Sequence, residues 1–208
     1  MPETYCPPLK ELIMTILTTA RLRLEPIDGH HFDGLHAMNR QLEVMRFISG
    51  APEAPEETRR MIDVVKGRWA EYGFSWWAFI EKDSGLLVGA GCIQYLGRNS
   101  ANPHEIGWRL VPQRWGQGLA SEAAQAMAAF AFESLDAPTL VAVCLPENTA
   151  SARLMEGLGL RYRALETWYE RPHATWEMTR ADWDARKKTQ ARAATSASKE
   201  SGFTGLTR

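Results

Sequence analysis

The segment from His104 to Phe132, "HEIGWRLVPQRWGQGLASEAAQAMAAFAF", constrains the chain more than any other. From His104 to Pro112 apolar and polar residues alternate as in a half-buried strand. From Gln117 the pattern is helical and runs to Leu135, with Leu119, Ala123, Met127, Phe130 and Ala131 on one face. Between the two lies "QRWGQG", with glycines at 116 and 118. A plain strand-to-helix connector needs one glycine at most, so the second makes room for something to approach the backbone. The start of a helix attracts anions through free N–H groups and the positive end of its dipole. Arg114 adds a charge, and a pyrophosphate is the natural occupant of such a turn.

The other elements follow from patterning. "ARLRLEPI" is a strand ended by Pro26. Asp28 caps a helix carrying Phe32, Leu35 and Met38. "QLEVMRFI" is a short helix, and a longer one spans roughly Glu56 to Tyr72 and ends at Gly73. "WWAFIEK" and "LLVGAGCIQYLG" form a hairpin around Asp83–Gly85, and "EIGWRLV" is a third antiparallel candidate. "TLVAVCLP" is the continuous apolar run of a strand covered on both faces. "NTASARLMEGLGL" is a helix, "RYRALETWY" and "ATWEMTR" a last strand pair, and Asp182 to Lys187 a short helical turn. This order predicts an α/β (α+β) sandwich, with helices packed on a mixed sheet.

With 208 residues the chain is expected to hold one domain, residues 14–186. Patterning begins near Thr18, so residues 1–13 read as a disordered leader, with Met14 an alternative start. From Lys187 the chain is polar and poor in core formers, which reads as a disordered tail over 187–208. The net charge of −1, with no basic block, gives no nucleic-acid footprint. No apolar run is long enough to span a bilayer, and no signal-peptide core opens the chain. Three scattered cysteines have neither metal nor disulfide spacing, which fits reduced thiols in the cytoplasm. Oligomeric state, monomer or homodimer, is left open.

Several motifs fail. Gly89 and Gly91 lack the third glycine and the helix of a dinucleotide fingerprint, and read as small residues for close strand packing. No P-loop lysine and no nucleophile elbow occur. His30, His31 and His36 share a helix start, but no carboxylate or cysteine completes a metal set with them, so they read as surface histidines and no metal is expected.

Gln113, Gly116 and Gly118 match Q-x-x-G-x-G, and with them the chain resembles the GNAT N-acetyltransferases, whose acyl-CoA pyrophosphate motif this is. "TARLRLEPI", "EIGWRLVPQRWGQGLASEA" and "NTASARLMEGLGL" resemble the RimJ/RimL-type branch, the ribosomal-protein N-terminal acetyltransferases and their relatives. Leu160 stands where that branch has phenylalanine. The resemblance covers roughly Thr18 to Arg186. It implies a mostly antiparallel sheet with splayed central strands and helices on both faces. It also implies transfer of an acetyl group from acetyl-CoA to an amine, a small molecule or a protein N-terminus, by direct attack in a ternary complex. The alternative is an idle acyl-CoA-binding or sensing protein on the same scaffold.

The resemblance assigns roles. The CoA turn is Gln113, Arg114, Trp115, Gly116, Gln117, Gly118, Leu119 and Ala120. A backbone amide near Leu110 or Val111 would hold the thioester carbonyl. Asn148 would bind the pantetheine arm, and Ser151 would donate to the leaving sulfur; both residues also suit a helix cap. Glu105 is the candidate base, with an edge-strand ion pair as the competing reading. Where many members place a tyrosine acid, this chain has Met155. Acceptor selectivity would sit around Met45, Arg46, Phe47, Trp76, Trp77, Trp168, Tyr169 and His173.

Overall fold

A computed structural model describes residues 15–201. The expected leader, Met14 and residues 202–208 lie outside the described residues. Eight strands form one sheet in the order β1-β2-β3-β4-β5-β6-β8-β7. They are β1 (Leu17–Thr18), β2 (Leu22–Pro26), β3 (Trp76–Glu81), β4 (Leu87–Tyr95), β5 (His104–Leu110), β6 (Thr139–Cys144), β7 (Arg161–Trp168) and β8 (Arg171–Thr179). Every neighbouring pair is antiparallel except β5 and β6.

That parallel pair is the decisive irregularity. Only His104 opposite Leu140 and Glu105 opposite Val141 are in register, and the two strands then separate. β5 stays paired to β4 along its whole length, from His104 opposite Tyr95 to Leu110 opposite Gly89. β6 likewise stays paired to β8 through Cys144. Each strand keeps its outer partner, so the sheet splays open between them, as the family resemblance implied.

Helices cover both faces. On one lie α1 (Phe32–Asn39), the single turn α2 (Leu42–Met45) and α3 (Pro55–Tyr72). α1 packs so closely that a Cβ on Gly34 would sit 2.8 Å from Leu87. α3 starts with Pro55 in its first turn, ends at left-handed Gly73, and buries Thr58, Ile62, Val65 and Trp69 along one stripe. The other face carries α4 (Leu119–Ala129) and α5 (Thr149–Leu158). α4 buries Leu119, Ala123, Ala124, Met127 and Ala128. These small side chains let its axis lie low on the sheet, with Met127 against Gly91.

Gly89 and Gly91 are the strand side of that approach. A Cβ on Gly89 would stand 2.6 Å from the Arg109 carbonyl, and one on Gly91 2.8 Å from that of Gly107. These glycines make β4 thin where it backs β5.

Two helix boundaries differ from expectation. The helix predicted to end at Leu135 is α-helical only to Ala129 and continues as a π-turn over Phe130–Ser134. The predicted turn at Asp182–Lys187 is the start of α6, which runs from Arg180 to Ser201, into the stretch read as a disordered tail. Thr179 and Asp182 cap its start reciprocally, and Trp183 stacks on Phe132 at 5.4 Å. Beyond that anchor the helix follows from its alanine, lysine, arginine and glutamine content, which favours helix without burial.

Gly89→Ala is expected to destabilise the protein by about 1–3 kcal/mol, the usual range for overpacking a filled site. A lowered urea midpoint checks it; an unchanged midpoint would show that β4 and β5 can part.

Candidate active site

A cleft of about 260 Å³ opens where β5 leaves β6. One side is formed by Ile106, Gly107 and Trp108 of β5, Val143 and Cys144 of β6, and Asn148, Ser151 and Met155 of α5. The other is formed by Phe47 and Ile48 after α2, Trp76, Gln94, Arg98, and Tyr169, Arg171 and His173 of the β7–β8 hairpin. Glu105 sits at the apex, on the last residue pair before the strands part.

The surroundings of Glu105 are tightly specified. Gln94 lies opposite it on β4. The Gln94 carbonyl oxygen accepts from the Trp76 indole and from Arg68, each at 3.3 Å, which directs its amide nitrogen the other way. That nitrogen donates to Glu105 Oε2 at 2.9 Å and to the Tyr169 hydroxyl at 3.2 Å. The Gly97 amide also donates to the Tyr169 hydroxyl, at 3.2 Å. With two donors pointed at it, the phenol directs its own proton to Glu105 Oε2, a short contact. Oε2 is therefore engaged twice. Oε1 has no partner among the described residues and faces the cleft.

Burial pushes the Glu105 carboxyl up, and the bonds from Tyr169 and Gln94, with the Arg98 charge, offset part of that. No ion pair holds Glu105 among the described residues, so the competing salt-bridge reading does not describe it. Burial and the adjacent carboxylate both keep the Tyr169 phenol protonated. Tyr169 and Glu170 form a two-residue hairpin turn with φ of 51° and 63°. Such turns prefer Asn-Gly, because other residues resist the left-handed conformation. The sequence reading had Tyr169 only among selectivity candidates. Its bond to Glu105 spans 64 positions and has no local signal.

The glycine turn has the predicted openness. Gly116 and Gly118 have φ of 71° and 77°, and a Cβ on Gly116 would meet nothing within 4 Å. Among the described residues the amides of Gly116, Gln117, Gly118, Leu119 and Ala120 have no carbonyl acceptor. The Trp115 indole ties the turn to β5 by donating to the Leu110 carbonyl at 2.9 Å, and Gln117 closes onto the Gln113 carbonyl at 2.9 Å. The Leu119 side chain belongs to the core and leaves only its amide to the turn. Gln113 is exposed, and Ala120 lies half-buried in the first turn of α4.

Two expected groups are engaged elsewhere. The Arg114 guanidinium forms a two-pronged pair with Glu81, both contacts 2.8 Å, and holds that carboxyl down at about 2. Its charge is thus neutralised on the β3–β4 hairpin. Arg21, which the sequence reading passed over, takes the place at the turn. It donates to the Gln117 carbonyl at 2.9 Å and pairs with Glu122 at 2.7 Å. The Val111 amide donates to the Val88 carbonyl at 2.9 Å, so it is not available to a ligand. Antiparallel alternation then turns the N–H of Leu110, with those of Trp108 and Ile106, toward the open edge.

Asn148 caps α5, its side chain accepting from the Ser151 amide at 3.2 Å. The cap and the cleft use the same residue, and the Ser151 hydroxyl also borders the cleft. Met155 is buried at the cleft floor. Cys144 and Cys92 line the cleft as well, and burial pushes the Cys144 thiol up to about 11 and the Cys92 thiol well above its ordinary value. Neither is a thiolate at neutral pH, so neither is placed to act as a nucleophile.

Away from the cleft, Glu25 of β2 joins His30 and His31 in a three-residue cluster of metal-ligating types, which corrects the expectation that no carboxylate completes such a set, and His31 is buried and not a surface histidine. His31 Nδ1 accepts the Asp28 amide at 3.1 Å, so in the neutral ring Nε2 carries the proton and faces Glu25. A protonated nitrogen is not a ligand, and the cluster is an imidazole–carboxylate contact.

A family model described as acetyltransferase (GNAT) domain matches residues 21–161. The chain belongs to the GNAT acetyltransferases. It is similar to an uncharacterized N-acetyltransferase, YnaD, of Bacillus subtilis: 29% identical over 146 residues, 70% of this chain and 82% of that one. It is also similar to the FsC-acetyl coenzyme A-N(2)-transacetylase of Aspergillus fumigatus, 27% identical over 186 residues, 80% of this chain and 77% of that one. In fold it resembles RimL, a ribosomal-protein alpha-N-acetyltransferase solved in complex with coenzyme A. The TM-score is 0.67 at 16% identity, over 79% of this chain and 98% of that one. This GNAT chain is thus an acetyl-CoA-dependent N-acetyltransferase. No helix among the described residues is long and apolar enough to cross a membrane.

Tyr169→Phe removes a donor from the ionised carboxylate, so the Glu105 midpoint is expected to rise further. A carboxyl-carbon NMR titration reads this directly; an unmoved midpoint would mean that the phenol does not bond Glu105 in solution.

Proposed function

We propose that this GNAT enzyme acetylates a primary amine by direct attack in a ternary complex, with Glu105 as general base. The observation that carries this reading is the single free oxygen, Glu105 Oε1, at the apex of the cleft that opens where β5 leaves β6. Bound acetyl-CoA would supply an activated acetyl thioester. The residues present fit it: open space at Gly116, free amides at the start of α4, and an unpaired strand edge at Leu110.

An ammonium has no lone pair, so the acceptor must lose a proton before it reacts. Glu105 Oε1 takes that proton, directly or through one water, while Gln94 and Tyr169 hold Oε2 in place. Burial raises the basicity of the carboxylate toward the operating pH, which is the direction a base needs. The amides from Gly116 to Ala120 bind the pyrophosphate, with Arg21 bracing the turn from outside. The Leu110 amide is directed at the carbonyl oxygen, where negative charge grows during attack. Asn148 orients the pantetheine arm across the cleft.

The departing sulfur needs less help. Its thiol pKa is about 8.5 in the free state, and the Ser151 hydroxyl can donate to it. The absence of a tyrosine at Met155 favours the second reading, an idle binder. Against that stand the buried carboxylate of Glu105 with one free oxygen and the Ser151 hydroxyl beside the cleft. The acceptor is a small amine or a peptide N-terminus.

Glu105→Gln is expected to lower kcat at neutral pH by 100-fold or more, with recovery at high pH where free amine is plentiful. A wild-type pH–rate profile in that variant would remove Glu105 from the mechanism. Gly116→Asn keeps a residue tolerant of positive φ while placing a side chain in the turn. Its CoA affinity, read by calorimetry, should fall at least tenfold; unchanged affinity in the folded variant would remove the turn as the pyrophosphate site.

A further inference from the structure

The acceptor side of the cleft has a repeated construction. Three of the rings that line it, Phe47, Trp76 and Tyr169, each carry a guanidinium. Arg46 lies 5.0 Å from the Phe47 ring centre, Arg109 4.6 Å from that of Trp76, and Arg98 5.7 Å from that of Tyr169. None of the three arginines makes an ion pair among the described residues. Arg109 is 8% exposed, and its Nε has no hydrogen-bond partner among the described residues. A fourth, Arg171, lines the mouth and also makes no ion pair there. Glu105 is the one carboxylate in the lining, and Tyr169 and Gln94 already engage one of its oxygens.

Arg98 is the member most clearly built for this place. It has φ of 61°, directly after Gly97 at 63°. A non-glycine residue is held in that region only when its surroundings demand it, and such residues gather at ligand sites. The conformation sets the Arg98 guanidinium on the Tyr169 ring and turns the Gly97 amide to the Tyr169 hydroxyl. Its charge reaches Glu105, whose carboxyl it pulls down.

A cleft lined by two guanidiniums, Arg98 and Arg171, and one carboxylate favours an anion over a polycation. We propose, resting on the transferase reading above, that the acceptor is a small amine with its own anionic group, carboxylate or phosphate, held by Arg98 while the amine faces Glu105 Oε1. Guanidinium binds both groups through parallel N–H donors, so the recognised chemistry is a planar or tetrahedral oxyanion near a primary amine. Arg171 assists capture and Arg46 adds to the field, while the charge of Arg109 is partly offset by Glu53.

The test compares matched acceptors in a thiol-release assay: amino acids against their amides, O-phosphoethanolamine against ethanolamine, and spermidine. Calorimetric binding of the same compounds to CoA-saturated enzyme runs beside it. The expected result is at least a tenfold preference in kcat/KM for one or both anionic partners over the neutral ones, with spermidine poorest. The pair showing it tells carboxylate from phosphate. Arg98→Asn, which retains a residue tolerant of positive φ, should raise KM for the anionic acceptor at least tenfold more than for its neutral partner, while the loss of its charge beside Glu105 changes kcat for both alike. Equal use of acid and amide, or an equal change in KM for both in Arg98→Asn, would overturn the proposal while leaving the transferase reading intact. Anion-selective binding without thiol release from any amine would overturn the transferase reading and the acceptor assignment with it, leaving only an anion site.

Discussion

Everything at the site depends on β5 and β6 parting after two residue pairs. Two parallel strands that separate leave backbone N–H and C=O groups without partners, which is costly unless something else occupies the gap. Here each strand is held on its outer side, β5 by β4 and β6 by β8, so the sheet does not collapse to close the opening. The glycines of β4 contribute to this. They let the helix behind it lie close, and the β4–β5 ladder remains continuous while the inner edge is free. The cleft, the exposed Leu110 amide and the apical Glu105 are three results of one break in pairing.

Glu105 shows how burial and hydrogen bonding divide the work at such a point. Burial alone disfavours the charged carboxylate. Donors to Oε2 from Gln94 and Tyr169 oppose that, while Oε1 remains free. The orientation of Gln94 is in turn set by Trp76 and Arg68, so the Glu105 carboxylate is positioned by residues from β3, β4, α3 and the distant β7–β8 hairpin. A strained two-residue turn makes the last of these contacts. Strain of this kind is stable only when surrounding packing fixes it, and the sheet edge provides that.

The arginines illustrate a different division. Those near the glycine turn are neutralised in stable pairs, Arg114 with Glu81 and Arg21 with Glu122. The turn therefore presents backbone amides, with little net side-chain charge. On the acceptor side the pattern reverses, and guanidiniums stack on aromatic rings without carboxylate partners. Stacking suits arginine because its planar, weakly hydrated head keeps its charge while packed against a ring. The glycine turn thus offers amide dipoles to an anion, whereas the aromatic wall of the cleft carries stacked cations.

The sequence by itself determined what depends on neighbours in the chain. Strand alternation in His104–Pro112, helical spacing after Gln117 and the paired glycines located β5, α4 and the turn between them, because each pattern is local. Asn148 as a cap and Glu105 at a strand start were legible for the same reason. Only the tertiary structure decided what those residues meet. Arg114 was a reasonable cation for the turn until the β3–β4 hairpin brought Glu81 to it. Leu110 and Val111 were equivalent until the ladder assigned the Val111 amide to β4. The Tyr169–Glu105 bond and the arginine-backed aromatic wall join segments dozens of residues apart. No local periodicity encodes such pairings, since they arise only when the sheet brings its edge hairpin across the gap between its central strands.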